Sequence, residues 1–445
     1  MISSFKRLWR DRRGNALAIA GAALPLVLGS AGLASDTIQW TLWKRQLQRT
    51  ADSAAMAGVY AIASEKAVGN CSNIAAATYA DPVAYDIKKN LKVLITPTCT
   101  VTNPPSVGGY TADEHAVRVS LSVQKRLAFS GMFMSDAPVI NAISTATIVP
   151  SGKYCVVSLE DQSYTGIDAS GATGLNLGCG MITNSTSMSA AVATGSATVT
   201  ASPIAAVGGI PASNNWGSGT ILQPFTVQQE DPFANVPVPT PSSCNPFSTY
   251  DVGGNNKPNR PVVDLSAQTG TICIKEGGSG VLSIQGDVIL GAATYILDST
   301  SLTMGSNDAS LKCNGCTIIL TTSGTDMSKI GNVSITGGEL DLIAPSTGCT
   351  LGTAGCYDGI MIYQDRRADD LNNVKINGNS ASKLEGAFYF PKANMTFTGT
   401  SGQDTNCMQI VSKRVTFNGN SGISNVCPTG SKAKSFVGKK VRLVE

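Results

Sequence analysis

With 445 residues, the chain is long enough for two or three domains with sizeable cores. Charged residues supply only 14% of it, against roughly 25% in an ordinary soluble protein. Gly, Ser, Thr and Asn fill the space, a mixture poor for helices and suited to short strands joined by tight turns. The net charge of +3 excludes a broad nucleic-acid surface. One histidine, His115, among twelve cysteines argues against zinc sites and for disulfides formed in an oxidising compartment.

At the N-terminus, Lys6, Arg7, Arg10, Arg12 and Arg13 precede an uncharged run of nineteen residues, Ala16 to Ala34. At about 1.5 Å per residue this run nearly crosses a hydrocarbon layer of about 30 Å. Residues 1–15 therefore read as a cytoplasmic basic segment and 16–34 as a transmembrane helix with the rest of the chain outside. A cleaved signal peptide is the rival, but its apolar core is shorter and ends at a small-residue cleavage site. Here a helical period continues through Ile38, Leu42, Leu47, Ala51, Ala54, Ala55 and Val59, giving a helical extension over 35–66. Trp40 and Trp43 stand where an interfacial aromatic belt belongs.

The stretch Arg12 to Gly58 resembles the N-terminal module of TadG/TadE-like proteins of Flp (Tad) pilus assembly. The resemblance rests on Arg13-Gly14-Asn15, Pro25, Gly32, Asp36, Gln46-Leu47-Gln48 and Ala51-Asp52-Ser53-Ala54-Ala55. It implies a single-pass accessory of the bacterial inner membrane, N-terminus cytoplasmic and bulk periplasmic. Its implied partners are pilus-assembly or secretion-apparatus proteins. Processed pseudopilins of that system carry a glutamate five residues after the cleavage-site glycine; counted from Gly14, that position is Ile19. The resemblance is thus to the permanently anchored TadG-like form.

Residues 67–150 read as a small α/β unit, helical at best over 73–90, with strands at Leu91–Thr96, Ala116–Val123 and Val139–Val149. Cys71 and Cys99 bracket it. From 151 a repeat appears: Val156 to Leu159 is followed by Gly180 to Thr183, and Asn176 by Thr200, at an offset of 24. Offsets of about 20–25 residues between Gly/Ser/Asn turns suggest coils of a parallel β-helix. Residues 151–202 form its first coils and 262–445 the main solenoid. In the latter, Tyr295-Ile296-Leu297 recurs as Ile318-Ile319-Leu320, Asp341-Leu342-Ile343, Met361-Ile362-Tyr363, Phe388-Tyr389-Phe390 and Gln409-Ile410-Val411. A second ladder runs through Val374, Met395 and Val415. Cys155 and Cys179 share the 24-residue offset, which sets them on adjacent rungs within disulfide reach. Cys407 and Cys427 are 20 apart, matching Met395 to Val415. Between the coil sets, 203–261 holds ten of the twenty prolines and reads as an irregular excursion tied by Cys244 and Cys273. The expected fold is mainly β: an N-terminal transmembrane helix, a small α/β unit, then a right-handed parallel β-helix-like solenoid.

Chemistry is sparse. Cys313-Asn-Gly-Cys316 lies between β runs with no histidine or second such pair nearby, so it reads as a structural staple, and Cys349 with Cys356 closes a small loop. Glycoside hydrolysis needs two facing carboxylates; the candidates Asp341, Asp358, Asp365, Asp369, Asp370 and Glu385 fall largely in polar loops. His115 follows Asp113 and Glu114 in a turn with nothing to position it for catalysis. The basic tail, Lys432 to Arg442, reads as a solvated end or an edge strand. Tyr363-Gln364-Asp365-Arg366 and Phe388-Tyr389-Phe390-Pro391 resemble segments attached to this pilus module. The leading expectation is a non-enzymatic scaffold without metal or cofactor, binding pilus machinery, peptidoglycan or other polysaccharide, and no nucleic acid. A β-helix polysaccharide lyase or hydrolase is the alternative, and a released surface adhesin a third possibility.

Overall fold

The computed structural model describes residues 13–91, 96–241, 244–246, 262–275, 280–370, 372–379, 382–399, 403–405, 407–419, 422–425 and 435–445. The basic residues before Arg13, the expected strand positions 92–95, prolines 258 and 261, Cys427, Lys432 and Lys434 lie outside them. The chain forms two compact units, Met1–Val149 with Val441–Glu445, and Pro150–Lys440.

In the first unit one helix, α1 (Arg13–Ala63), runs unbroken for 51 residues with Pro25 inside it. Alanine and leucine, the strongest helix formers, carry it through the expected membrane and extramembrane segments alike. Its later half packs: Leu47, Ala51, Ala54, Ala55 and Val59 are fully buried, at helical spacing. They meet α2 (Pro82–Asn90) and an antiparallel sheet of β1 (Thr98–Thr102), β2 (Val117–Gln124) and the first half of β3 (Val139–Ser158). β2 pairs Leu121 with Cys99 of β1 and with Ala142 of β3. Its Val117, Val119, Leu121 and Val123 alternate inward. Small residues on α1 permit the approach; a Cβ on Gly58 would stand 2.8 Å from Cγ1 of Val117. The chain end returns here, where Thr145 N–H donates to the Glu445 carbonyl at 2.7 Å. One expectation is corrected: Ile38 and Leu42, on the expected packing face, are 62% and 57% exposed, because the sheet reaches only the lower part of the helix. Most of the strand expected at Leu91–Thr96 lies outside the described residues, among which the first strand is Thr98–Thr102, held to Cys71 through Cys99.

The second unit is mainly β, and its strand pairings are parallel. Strands alternate among three ladders. One joins Gly270–Lys275, Ala293–Asp298, Thr317–Thr321, Ile360–Gln364, the middle of Lys383–Gly399 and the start of Cys407–Gly419. A second joins Val263–Leu265, Asp287–Leu290, Ser310–Asn314 and Glu339–Ile343. A third joins Val281–Ile284, Ser301–Met304, Val333–Ile335, Asn372–Gly378 and the ends of the two long strands. Between them Leu311, Leu340, Leu342, Ile376, Phe388, Phe397 and Phe417 fill one apolar core.

Registers differ from the sequence reading in detail. Asp341 belongs to the second ladder, opposite Lys312 and Lys383, not to the first. Tyr295 faces Ile318, which faces Ile362, then Phe388, then Ile410, so two of the expected triplets slip by one residue. Val156 faces Met181, one step beyond the expected offset, because the register shifts after Tyr154. The equivalence of Val374, Met395 and Val415 stands as read.

The larger difference is order. Cys407–Gly419 pairs with the end of β3, Ile410 against Val156 and Val411 against Val157. Gly180–Thr183, Ile204–Ala206 and Leu222–Gln223 follow in turn. The early strands therefore continue the sheet beyond Cys407–Gly419, a strand about 250 residues later in sequence. At the opposite edge, Asn245–Pro246 pairs with Gly270–Lys275. From Leu222 to Asn245 the chain thus crosses ten inter-strand steps, about 48 Å at 4.8 Å each, within an extended reach of about 75 Å.

Candidate functional site

The upper half of α1 is apolar and unpacked: Ile19, Leu24, Leu26, Val27 and Leu28 are each about 60–75% exposed. It is long and apolar enough to cross a membrane. Three of its hydroxyls are satisfied within the helix, Ser30 donating to the Val27 carbonyl, Thr37 to Leu33 and Thr41 to Thr37. Such back-bonding removes free polar groups from an apolar surrounding. Asp36 is the exception. It is 4% exposed, and its carboxylate accepts the backbone N–H of Ser130 at 2.6 Å.

Below it the residues carrying the resemblance take structural roles. Gln46 donates to the Asn90 carbonyl at the end of α2, and Gln48 to Ile143 of β3 and to Asp52. Lys44 reaches the Asn141 carbonyl, and Ser53 donates to Asp86 of α2. The small residues between them, Ala51, Ala54 and Ala55, lie flat against the sheet. The motif is thus a helix face that fastens a domain immediately below an apolar rod.

The second unit carries a polar clamp that sequence reasoning missed. The returning segment lays Phe233 and Val236, both under 5% exposed, against Tyr357, Tyr363 and Tyr389. Arg366 donates to the carbonyls of Phe233 and Val236, each at 2.8 Å. Tyr357 donates to the Pro237 carbonyl, Tyr363 to that of Val236, and Tyr389 to Asp231 at 2.6 Å. Burial pushes the Tyr357 hydroxyl up to about 12 and raises Tyr363 and Tyr389 further, so all three serve as neutral donors. Asn184 brackets Gln229 with both ends of its amide. The hints in the sequence were Tyr363-Gln364-Asp365-Arg366 and Phe388-Tyr389-Phe390-Pro391 themselves.

The predicted carboxylates are dispersed. Asp365 is fully buried, which raises its carboxyl, but hydrogen bonds from Arg367 and Thr321 outweigh burial and hold it below the usual range. Asp370 is lowered by Lys413, at 3.1 Å, and Lys392. Asp358 accepts from Thr347 and Gly348, shaping the loop closed by Cys349 and Cys356. Asp369 is exposed; Asp341 and Glu385 are half-buried on one ladder, Asp341 opposite Lys383 and Glu385 opposite Cys407. His115 is exposed, its Nδ1 3.8 Å from Asp113, whose other oxygen accepts from Thr147. Two acids escaped the sequence reading. Glu160 is fully buried and receives the Arg414 guanidinium at 2.5 Å, which also covers the Tyr164 ring. Asp168, by contrast, is raised by burial and leaves one oxygen without a hydrogen-bond partner.

Cysteines supply structure. Cys155–Cys179, Cys244–Cys273, Cys313–Cys316 and Cys349–Cys356 are disulfides with Cα separations of 5.8, 4.6, 6.0 and 5.9 Å. Cys407 is also disulfide-bonded, and no described cysteine is a free thiol. Cys349, Cys356 and Asp358 cluster closely enough to hold a metal ion, but a disulfide withholds the thiolates such a site requires. A cavity in the second unit, bounded by Leu265, Ile284, Leu290, Leu302 and Ile318, has an apolar lining apart from Tyr295, which accepts from Gly291 N–H.

No curated protein and no solved structure gives a significant match to this chain. The helix that carries the apolar rod and its fastening face does: residues 14–65 match the Tad family, described as Flp pilus-assembly TadE/G-like.

Proposed function

We propose that the chain is a single-pass anchored accessory of Flp (Tad) pilus assembly, acting as a scaffold in the periplasm. The observation that carries this reading is the coincidence of the family match at 14–65 with a helix bare and apolar above and packed below. With five cations ahead of the span, the positive-inside rule keeps the N-terminus cytoplasmic in the bacterial inner membrane. The cystines of both units suit an oxidising periplasm.

In this reading the three parallel ladders, whose chain segments return after 18–44 residues, form a right-handed parallel β-helix. Residues 151–202 supply coils that run on through Ile204–Ala206 and Leu222–Gln223, and the Pro-rich segment after Gln223 forms the excursion. The solenoid expected over 262–445 ends at Lys440, its strand Cys407–Gly419 followed by the early coils. Its stacked outer surface binds pilus-assembly or secretion-apparatus proteins, or peptidoglycan and other envelope glycans, without catalysis. Support for a non-catalytic role comes from the carboxylates, since Asp298, Asp358, Asp365 and Asp370 are all engaged in ion pairs or turns.

Crosslinking of the membrane-embedded protein in cells, followed by identification of captured proteins, tests the assignment. Recovery of pilus-assembly components is expected; their absence under conditions where pili form sinks it. A phosphatase reporter fused at Asp36 is expected to be active outside the cytoplasm.

A further inference from the structure

The loop after β2 holds an apolar cluster that no packing explains. Phe129 is 41% exposed, Met132 77%, Phe133 67% and Met134 42%. Four large apolar side chains in six residues, each more than 40% exposed, mark an interaction surface rather than scattered surface hydrophobics.

Their position identifies the occupant. The Phe129 ring lies directly over Gly32 of α1, where even a Cβ would come within 2.1 Å of its Cδ1. Gly32 sits inside the uncharged run, two residues or about 3 Å of helix rise from its end at Ala34. One turn further, Asp36 holds the loop from below by accepting the Ser130 N–H. A helix that places Gly32 at the edge of the hydrocarbon therefore places Phe129 there too. On the same stretch of helix, Leu33 and Ile38 remain exposed, so the helix beside the loop is itself apolar at its surface. Lys125 and Arg126, both exposed, precede the cluster and supply positive charge of the kind that anionic headgroups attract.

We propose that residues 127–134 are a second membrane contact, dipping Phe129, Met132, Phe133 and Met134 into the periplasmic leaflet beside the span. The proposal rests on α1 crossing the bilayer, as above. A single helix leaves an attached domain free to spin and tilt; a second, laterally displaced contact fixes how the first unit faces the membrane. The notch at Gly32 and the acceptor at Asp36 are the parts that hold the loop at that height.

The test uses the full chain in vesicles of phosphatidylethanolamine and phosphatidylglycerol doped with phosphatidylcholine bearing an acyl-chain diazirine. After illumination, lipid adducts are mapped by peptide mass spectrometry. Adducts are expected on residues 19–34 and on 129–134, and none at the exposed Tyr79 or Val107 elsewhere in the first unit. In a Met132→Asp, Phe133→Asp variant, loop adducts are expected to fall about tenfold while those on the helix persist. Both side chains are exposed, so folding is not at stake. A labelled helix with an unlabelled loop overturns the proposal and leaves the span intact, as does capture of the loop by a second protein chain instead of lipid. An unlabelled helix overturns the span, and this proposal with it.

Discussion

In the first unit, α1 buries Leu47, Ala51, Ala54, Ala55 and Val59 along a single stretch of helix, and β1, β2 and β3 follow one another into an antiparallel sheet. In the second unit, Ile410 finds its neighbour at Val156, and Glu160 its counter-ion at Arg414, more than 250 residues away. Local spacing governs one region and distant register the other. Helix periodicity fixes which residues share a face without reference to the rest of the chain. Parallel strands need crossovers, and nothing in a short strand names the strand it joins.

Four experiments bear on that contrast. Phe417→Ala empties a fully buried site beside Phe397 and is expected to cost about 3–5 kcal/mol. Hydrogen exchange under urea would place the loss in residues 150–440; equal loss in the first unit would erase the distinction. Arg414→Ala strands the buried Glu160 and is expected to cost about 3 kcal/mol. Because the pair joins the early strands to the last long one, proteolysis of 154–206 should rise with it; unchanged protection would contradict the pairing across the sequence.

Gly58→Leu forces a side chain against Val117 and Val83 and is expected to cost about 1–3 kcal/mol, confined to the first unit. Denaturation read by exchange in β2 checks it. The smallest effects concern acids of the second unit. Asp298 is raised by burial but lowered by more through Ser323, Lys275 and Ser299, and so, like Asp365, sits below its ordinary value. Their stabilisation is complete above the unfolded carboxylate value of about 3.9 and is lost as pH falls through the lower folded values. Asp168 behaves oppositely: its raised value favours the fold at low pH, an advantage lost as pH rises through that value. Asp168→Asn should therefore stabilise the protein at pH 7 by up to about 1 kcal/mol and do little at pH 4. A loss at pH 7 would mean the carboxylate has a partner.

For function, the readable part was the anchor. Uncharged length, flanking cations and the Gln46 to Ala55 motif announced the rod and its fastening face before any fold was known. The clamp was not readable, because Arg366, Tyr389 and Asp231 become neighbours only when the returning segment crosses the sheet. Nor was the apolar loop, since Phe129 to Met134 reads as ordinary connector until it lies beside Gly32.

Composition and periodicity by themselves determined an apolar N-terminal helix, a β-rich remainder and the repeated spacing of its strands. Those properties depend on side-chain size, polarity and nearest-neighbour geometry, all local to the sequence. Tertiary structure alone decided that strands 154–223 follow strand 407–419, that the Pro-rich segment doubles back beneath Arg366, and that Ile38 and Leu42 stay bare. Each of these turns on which distant surfaces bury the most apolar area together, a property of the whole chain.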